Sequence, residues 1–128
     1  MSSTNVAIVS DFLAAMAERD GKRAAGLLHP EVEWRNTGLP TLRGRRVIEM
    51  IRSMEDSRIA FDVVVHAIAA EGDTVLTDRT DVLGIGPVRT RFWVCGTFTV
   101  RDGLIVTWDD HFSFGNFLTG LVRGTLRR

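Results

Sequence analysis

Two aspartates stand side by side in the stretch TWDDHFS, residues 107–113, directly after the apolar run LIV. Side chains alternate between the two faces of a β-strand, so only one of these carboxylates points to the interior. Asp110 shares its face with a mostly apolar set, namely Leu104, Val106, Trp108 and Phe112. Asp109 shares the other face with Ile105, Thr107, His111 and Ser113. The alternation therefore predicts that Asp110 is the interior carboxylate.

A second charged pair occurs in the sequence RTDVL, residues 79–83. In a strand, Arg79 and Asp81 share one face with Val75, Thr77 and Leu83. Asp78 lies on the other face, and both faces are mixed in character, so alternation alone does not decide between them. A buried Arg79 with Asp81 can be neutralised by a second carboxylate, whereas a buried Asp78 would have no such partner. The charge balance favours Arg79 and Asp81 pointing inward with Asp110.

An interior set of two aspartates and one arginine can supply both an acid and a base. Removing each ion from water costs several kcal/mol, which only well-placed partners recover. Two carboxylates flanking one guanidinium cannot easily both stay ionised in an apolar cavity, so we expect one of them to hold a proton. The residues alone leave a second interpretation open, in which the set is a structural ion-pair network.

Three helices are expected to precede most of the strands and to position these residues. Apolar residues of the first segment recur at helical spacing: Val6, Val9, Phe12, Leu13 and Met16. Asp20 can cap a short second helix that continues through Leu28 and ends at Pro30. A third helix is expected from Gly44 to Met54.

The remaining segments have the pattern of β-strands. Residues 31–36 alternate, with one face formed by Val32, Trp34 and Asn36. Four β-rich segments follow at residues 59–70, 73–83, 88–100 and 104–113, separated by the turns EGD, GIGP and RDG. Helices grouped before a run of hairpins predict one α+β domain, residues 1–128, in which the sheet curls around the helices and leaves a concave face.

Composition limits the possible partners. Sixteen basic and sixteen acidic residues cancel, so no net field attracts the chain to nucleic acid or to a membrane surface, and a small neutral or apolar ligand is the better expectation. The chain has one cysteine, Cys95, and neither a leader-like start nor a run of membrane-spanning length, which predicts a cytoplasmic protein. His29, His66 and His111 lack metal-ligand spacing, so no metal site is expected.

Three motifs together resemble the limonene-1,2-epoxide hydrolases: RTDVL at residues 79–83, WDDHF at 108–112, and WRN at 34–36 before a Gly-Leu-Pro turn. The resemblance runs over nearly the whole chain. These enzymes have the nuclear-transport-factor-2-like, or SnoaL-like, fold, a cone-shaped, mostly antiparallel sheet wrapped around three N-terminal helices. The resemblance implies a hydrolase that opens a small to medium apolar epoxide with water, without a metal, a cofactor or a covalent enzyme intermediate.

The resemblance also implies a role for each polar residue. The family residue that matches Asp110 is the base that deprotonates water, the match to Asp81 is the acid that protonates the epoxide oxygen, and the match to Arg79 bridges them. Asn36 matches an asparagine that helps to hold the water. We therefore expect an ionised Asp110 near Arg79 and Asn36, and a protonated Asp81 whose pKa is raised by an apolar wall such as Leu83.

Trp34 departs from the family, which usually has tyrosine at this position, and the whole sequence contains no tyrosine. A phenol donates and accepts hydrogen bonds, while an indole only donates, so Trp34 can donate to a water or an epoxide oxygen. With a substrate hydroxyl as nucleophile, the same chemistry would be an epoxide-opening cyclisation. The lack of tyrosine argues against ketosteroid isomerases and scytalone dehydratases. A SnoaL-type polyketide cyclase and a non-catalytic ligand-binding protein remain alternatives.

The resemblance extends to the pocket and the assembly. Six apolar residues are expected both in the core and along the substrate pocket: Leu13, Met16, Leu83, Phe92, Val94 and Phe117. Family members commonly form homodimers through the outer face of the sheet. Trp93 with Arg91 is the contact predicted there.

Overall fold

The computed structural model describes residues 2–112, which contain three α-helices and six β-strands. Two helices come first, and the third helix lies between the second and the third strand. The helices are α1 (Ser2–Ala17), α2 (Gly21–Gly26) and α3 (Arg45–Arg52), the last followed by a 3₁₀ turn at Ser53–Asp56. The strands are β1 (Leu28–Asn36), β2 (Leu42–Arg43), β3 (Ile59–Glu71), β4 (Thr74–Ile85), β5 (Val88–Arg101) and β6 (Leu104–His111).

The strands form a single curved sheet in the order β2-β1-β6-β5-β4-β3. Strands β3, β4, β5 and β6 are an antiparallel meander, since each pairs with its sequence neighbour. β1 joins β6 in parallel, which makes the sheet mixed and places the first of the described strands beside the last of them. This arrangement confirms the predicted α+β class with a mostly antiparallel sheet.

Helix α1 closes the inner side of the sheet through its apolar stripe. Val9, Phe12, Leu13 and Met16 of the predicted stripe are buried in the main hydrophobic core. Each such side chain contributes roughly 1.5–3 kcal/mol when it is fully buried, so this face holds the helix against the sheet. The exposed positions on the opposite side of the helix are occupied by small or polar residues, namely Thr4, Ala7 and Ser10.

Helix α2 is shorter than predicted. Asp20 caps it as expected, because its carboxylate accepts a hydrogen bond from the backbone N–H of Arg23 at 3.2 Å. The helix ends at Gly26, however, and Leu28 already belongs to β1, where it is buried and pairs with Ile105. Pro30 therefore does not end the helix. It lies in the irregular part of the β1–β6 ladder, where its missing N–H breaks no regular ladder hydrogen bond.

The face prediction for β6 is correct for one half of the strand and wrong for the other. Between Thr99 and Val100 the β5–β6 register shifts, so that Val106 is an extra residue in the ladder. Ile105 is consequently buried and Val106 is only partly buried, the reverse of the prediction. After this bulge the alternation continues in the expected phase, and Asp110 does point inward.

No helix within residues 2–112 is long and apolar enough to span a membrane. The location of the protein in the cell stays a prediction.

Candidate active site

Three charged side chains lie buried on the inner face of the sheet. Arg79 is 1% exposed, and Asp81 and Asp110 are each 5% exposed. Arg79 and Asp81 are on β4 and Asp110 is on β6, with β5 between these strands. Asp78, the rejected inward candidate, is exposed and accepts a hydrogen bond from Trp93 Nε1 on the outer face. The predicted inward set is therefore confirmed.

The guanidinium of Arg79 bridges the two carboxylates. Its Nε donates to Asp81 Oδ1 at 2.8 Å, and its Nη2 donates to Asp81 Oδ2 at 3.1 Å. The same Nη2 lies 2.8 Å from Asp110 Oδ2. Asp81 thus has a two-point contact with Arg79, whose fork geometry orients Asp81 against the guanidinium, while Arg79 reaches Asp110 through Nη2 alone.

The other guanidinium nitrogen of Arg79 faces β5. Nη1 donates to Thr77 Oγ1 at 3.0 Å, and this hydroxyl donates to the carbonyl oxygen of Gly96 at 3.2 Å. A Cβ at Gly96 would overlap Arg79 Nη1 and would come within 2.9 Å of Asp110 Oδ1. The ring of Phe98 lies 5.8 Å from the guanidinium carbon. Only glycine at position 96 leaves space for this arrangement.

Asp110 has one oxygen that is held and one that is free. Trp108 Nε1 donates to Oδ2 at 3.0 Å, the same oxygen that contacts Arg79. Oδ1 is buried and has no hydrogen-bond partner among residues 2–112. A buried carboxylate oxygen with free lone pairs is what a proton acceptor requires.

Burial determines the titration of both carboxyl groups. Burial raises the pKa of Asp110 from the ordinary 3.8 to about 6, although Arg79 favours its ionised form. Burial also raises the pKa of Asp81, against the opposing effect of its two hydrogen bonds from Arg79. For Arg79, burial lowers the pKa, but Asp110 and Asp81 outweigh it and the pKa is raised, so the arginine stays charged.

The contacts of Arg79 differ from those expected for an ionised base and a protonated acid. We expected Arg79 to hold Asp110 and an apolar wall to hold Asp81, yet the two-point contact is with Asp81. The cause is local, because Arg79 and Asp81 are two residues apart on the same face of β4. The roles of acid and base stay a prediction, and the two groups titrate as a coupled pair.

A sequence model of the limonene-1,2-epoxide hydrolase catalytic domain matches residues 3–123. The chain belongs to the limonene-1,2-epoxide hydrolase family. It is 42% identical over 117 residues to epoxide hydrolase EphG of Mycobacterium tuberculosis, an alignment that covers 91% of this chain and 78% of the relative. Membership in this family makes the chain an enzyme of the epoxide hydrolase class.

Solved structures agree with this membership. The structure of an LEH-like epoxide hydrolase from M. tuberculosis superposes with a TM-score of 0.92 at 39% identity, covering 98% of this chain and 94% of that one. An NTF2-like protein from Burkholderia pseudomallei superposes with a TM-score of 0.77 at 16% identity, covering 92% and 97% of the two chains. The second match shows the fold alone, and it confirms the expected NTF2-like architecture.

Two further residues with expected roles in limonene-1,2-epoxide hydrolases lie beside Asp110. In the parallel β1–β6 ladder, Asn36 is the partner of Asp110 and Trp34 is the partner of Trp108. The two indoles stack with ring centroids 4.2 Å apart and planes 11° apart. Trp34 Nε1 is buried and has no hydrogen-bond partner among residues 2–112, so the indole that stacks on Trp108 carries an unsatisfied donor, in addition to the unsatisfied acceptor of Asp110.

The expected pocket residues of this family member lie on the inner side of the fold as far as the structure describes them. Leu13, Met16, Phe92 and Val94 are buried, and Leu83 is partly buried. Phe92 is the cross-strand partner of Asp81, and Val94 is the cross-strand partner of Arg79. Phe117 lies outside the described residues. That these side chains line a substrate pocket stays a prediction.

Thr77 and Trp108 were expected on the inward faces of their strands, but no role at the site was predicted for them or for Gly96. Thr77 lies two residues before Arg79, and Trp108 lies two residues before Asp110, so each shares a strand face with its hydrogen-bond partner. This spacing is visible in the sequence and could have indicated both contacts. A glycine inside a predicted strand was a signal of close backbone approach at Gly96. Within the described range, no three His, Cys, Asp or Glu side chains are grouped to hold a metal ion.

Proposed function

We propose that this enzyme adds water to a small or medium apolar epoxide in one step, with Asp110 as general base and Asp81 as general acid. Asp110 removes a proton from water, the water oxygen attacks an epoxide carbon, and the carbon–oxygen bond of the ring breaks. The epoxide oxygen takes the proton of Asp81, and the product is a diol. Asp110 then holds a proton that Asp81 lacks, and exchange across Arg79 or with solvent restores the resting state.

The free oxygen of Asp110 is the observation that carries this proposal. Oδ2 is occupied by Arg79 and Trp108, whereas the buried Oδ1 has no partner among the described residues and can accept a proton. A pKa of about 6 keeps Asp110 mostly ionised at neutral pH yet basic enough to take a proton in the transition state. A structural ion-pair network would gain nothing from leaving this oxygen unsatisfied, since such an atom costs about 1–3 kcal/mol.

Asp81 is suited to the acid role by its burial and by its connection to the base. Burial raises its pKa, and Arg79 links it to Asp110, so the two carboxyl groups can differ by one proton without leaving the charge of the arginine unbalanced. Asn36 and the unsatisfied N–H of Trp34 are our candidates to hold the water or the epoxide oxygen.

The proposed apolar substrate is supported by the neighbours of the charged set. Phe92 and Val94 are buried, but they are separate from the main core cluster, and both pair with β4 at the charged residues. Hydrocarbon surface beside a buried acid and base disfavours a charged substrate and favours a hydrophobic one.

Labelled water distinguishes the possible reactions. The enzyme is incubated with terpene epoxides, cyclohexene oxide and hydroxy-epoxides in ¹⁸O water, and the products are analysed by mass spectrometry. One ¹⁸O atom in a diol is the expected result. An unlabelled cyclic ether would show that a substrate hydroxyl is the nucleophile, and no consumption of any epoxide would refute the proposed reaction.

Substitution of Asp110 tests the assigned base. Asp110→Asn keeps the size of the side chain but cannot accept a proton, so we expect kcat to fall by at least about 100-fold, the lower end of what a general base contributes. Circular dichroism is the control for folding. A folded variant that turns over epoxide as fast as the parent enzyme would show that Asp110 is not the base.

We also propose that two copies of the chain associate through the outer face of β3, β4 and β5. Trp93, Leu76 and Val64 on this face are 50%, 51% and 46% exposed, an unusual concentration of large apolar side chains on a sheet surface. Sedimentation velocity at micromolar concentration should give a dimer, and Trp93→Arg should weaken it. A single species of 14.2 kDa in the parent protein would refute the dimer.

A further inference from the structure

Thr77 is the hydrogen-bond partner of the one Arg79 nitrogen that contacts neither carboxylate. It is 2% exposed and lies two residues before Arg79 on the same face of β4. Its hydroxyl oxygen is 3.0 Å from Nη1 and 3.2 Å from the carbonyl oxygen of Gly96. Among the described residues, this hydroxyl connects the charged set to the backbone of β5.

The two hydrogen bonds of Thr77 fix the direction of its hydroxyl. The Gly96 carbonyl can only accept, so it takes the hydroxyl proton, and the oxygen lone pairs of Thr77 are then directed at Nη1. A threonine oriented in this way is a pure acceptor for the guanidinium. An acceptor held by the backbone is a fixed point of attachment, whereas a freely rotating hydroxyl is not.

The guanidinium also has little room to move out of this position. The Gly96 backbone lies directly beside Nη1, where even a Cβ would overlap it, and the Phe98 ring is 5.8 Å from the guanidinium carbon. Rotation about the Cδ–Nε bond would move Nη1 away from Thr77 and Nη2 away from Asp110 together, because the guanidinium is planar and rigid. The hydrogen bond between Nη1 and Thr77 therefore controls the contact between Nη2 and Asp110.

We infer that Thr77 is a positioning residue for the reaction, and that it acts through Arg79 by keeping Nη2 directed at Asp110. This inference rests on the function proposed above and adds a residue to it. The charged groups that face Arg79 within residues 2–112 are Asp81 and Asp110; the buried polar residues of α1 and β5, Asn5 and Thr90, are uncharged.

The effect on Asp110 has a definite direction. Arg79 favours the ionised form of Asp110, so a guanidinium that turns away from it leaves a more basic carboxylate. Removing the Thr77 hydroxyl should therefore raise the pH at which Asp110 loses its proton. It should also lower kcat with little change in KM, since the side chain of Thr77 is bonded to Arg79 and Gly96 and we assign it no contact with the substrate.

The test compares three replacements that differ in one property. Thr77→Val removes the hydroxyl at nearly constant shape, Thr77→Ala removes it with less steric demand in case the valine variant does not fold, and Thr77→Ser keeps it. Thr97→Val is the matched control, because Thr97 faces the outer side of β5. For each folded variant, the aspartate carboxyl carbons are titrated by ¹³C NMR, and kcat and KM are measured against pH.

We expect Thr77→Val and Thr77→Ala to lower kcat by roughly 10- to 100-fold, the effect of one hydrogen bond to a charged group, and to move the Asp110 titration to higher pH. Thr77→Ser should retain most of the parent's kcat, and Thr97→Val should titrate as the parent does. An Asp110 titration that is the same in the valine, alanine and serine variants would overturn the inference. So would a serine variant that is as impaired as the other two.

The carboxyl titration does not depend on turnover. If the parent opens no epoxide, the proposed function fails while the titration still decides whether Thr77 acts on Asp110. If the parent is active and the titration does not move, the inference about Thr77 fails while the proposed function stands.

Discussion

Trp108→Phe removes one hydrogen bond from the candidate base and leaves most of the surrounding packing in place. The indole N–H donates to Asp110 Oδ2 at 3.0 Å, while the ring packs edge-on against Phe12 at 5.0 Å and stacks on Trp34 at 4.2 Å. A phenyl ring can occupy much of the same space. The N–H stabilises the carboxylate form only, so its loss makes Asp110 a weaker acid.

The magnitude follows from the energy of that bond. A hydrogen bond to a charged group contributes about 1.5–3 kcal/mol, and 1.36 kcal/mol corresponds to a tenfold change in the acid dissociation constant. The pKa of Asp110 should accordingly rise from about 6 to between about 7 and 8. Since the base must be ionised to act, kcat/KM should begin to fall at a correspondingly higher pH as the solution is acidified.

The assay is the pH profile of kcat/KM for epoxide opening, measured on the parent, Trp108→Phe and Trp93→Phe. Trp93→Phe is the matched control, because it also removes an indole N–H from an aspartate, here Asp78, but on the exposed outer face. Its profile should equal that of the parent. If folded Trp108→Phe shows an unshifted acid limb, the Trp108–Asp110 hydrogen bond does not tune the base, and the assignment of Asp110 is refuted with it.

Three further predictions concern the same charged set. Asp81→Asn should be folded and should have a kcat at least about 100-fold lower, because an amide cannot deliver a proton to the opening epoxide; a variant with parental kcat would exclude Asp81 as the acid. Gly96→Ala should lower both kcat and the thermal midpoint, because its Cβ would overlap Arg79 Nη1, whereas Gly103→Ala, with open space around its Cβ but a φ of 79°, should affect stability alone. Below pH 3.8 Asp110 is protonated in both the folded and the unfolded protein, and because its folded pKa is raised, the stability it contributes is lost as the pH rises through about 6, a loss of about 3 kcal/mol. Urea titrations of Asp110→Asn should lack this decrease in the free energy of unfolding. An identical pH dependence in the parent and the variant would contradict the raised pKa.

Periodicity was sufficient to predict the features that repeat. The apolar stripe of α1 and the glycine-containing turns between the last four strands predict the helix, the hairpins and the α+β class, and the structure has them. The inward direction of Arg79 and Asp81 followed from charge balance, since alternation did not decide between the faces of β4. The three charged residues of the site, Arg79, Asp81 and Asp110, were therefore predictable as a set.

Features that depend on the register between strands were not predictable from the pattern of one strand. The extra residue Val106 reverses the faces of the first half of β6, and nothing in the sequence of that strand marks the bulge. The contact of Thr77 with Gly96 likewise depends on how β4 is aligned with β5. We expected Arg79 to be held mainly against Asp110. It instead makes two hydrogen bonds to Asp81, because the two residues are neighbours on the same face of one strand.

The stacked indoles give the protein a built-in optical reporter of its own site. The chain has three tryptophans, and Trp34 and Trp108 lie 4.2 Å apart with nearly parallel planes, so their excited states couple and should produce a paired band in the near-ultraviolet circular dichroism spectrum. Trp108 is also bonded to Asp110, whereas Trp93 is on the outer surface and can be replaced by phenylalanine to remove its background. Protonation of a single buried carboxyl group, and the arrival of a ligand beside it, can then be followed by fluorescence without any added label.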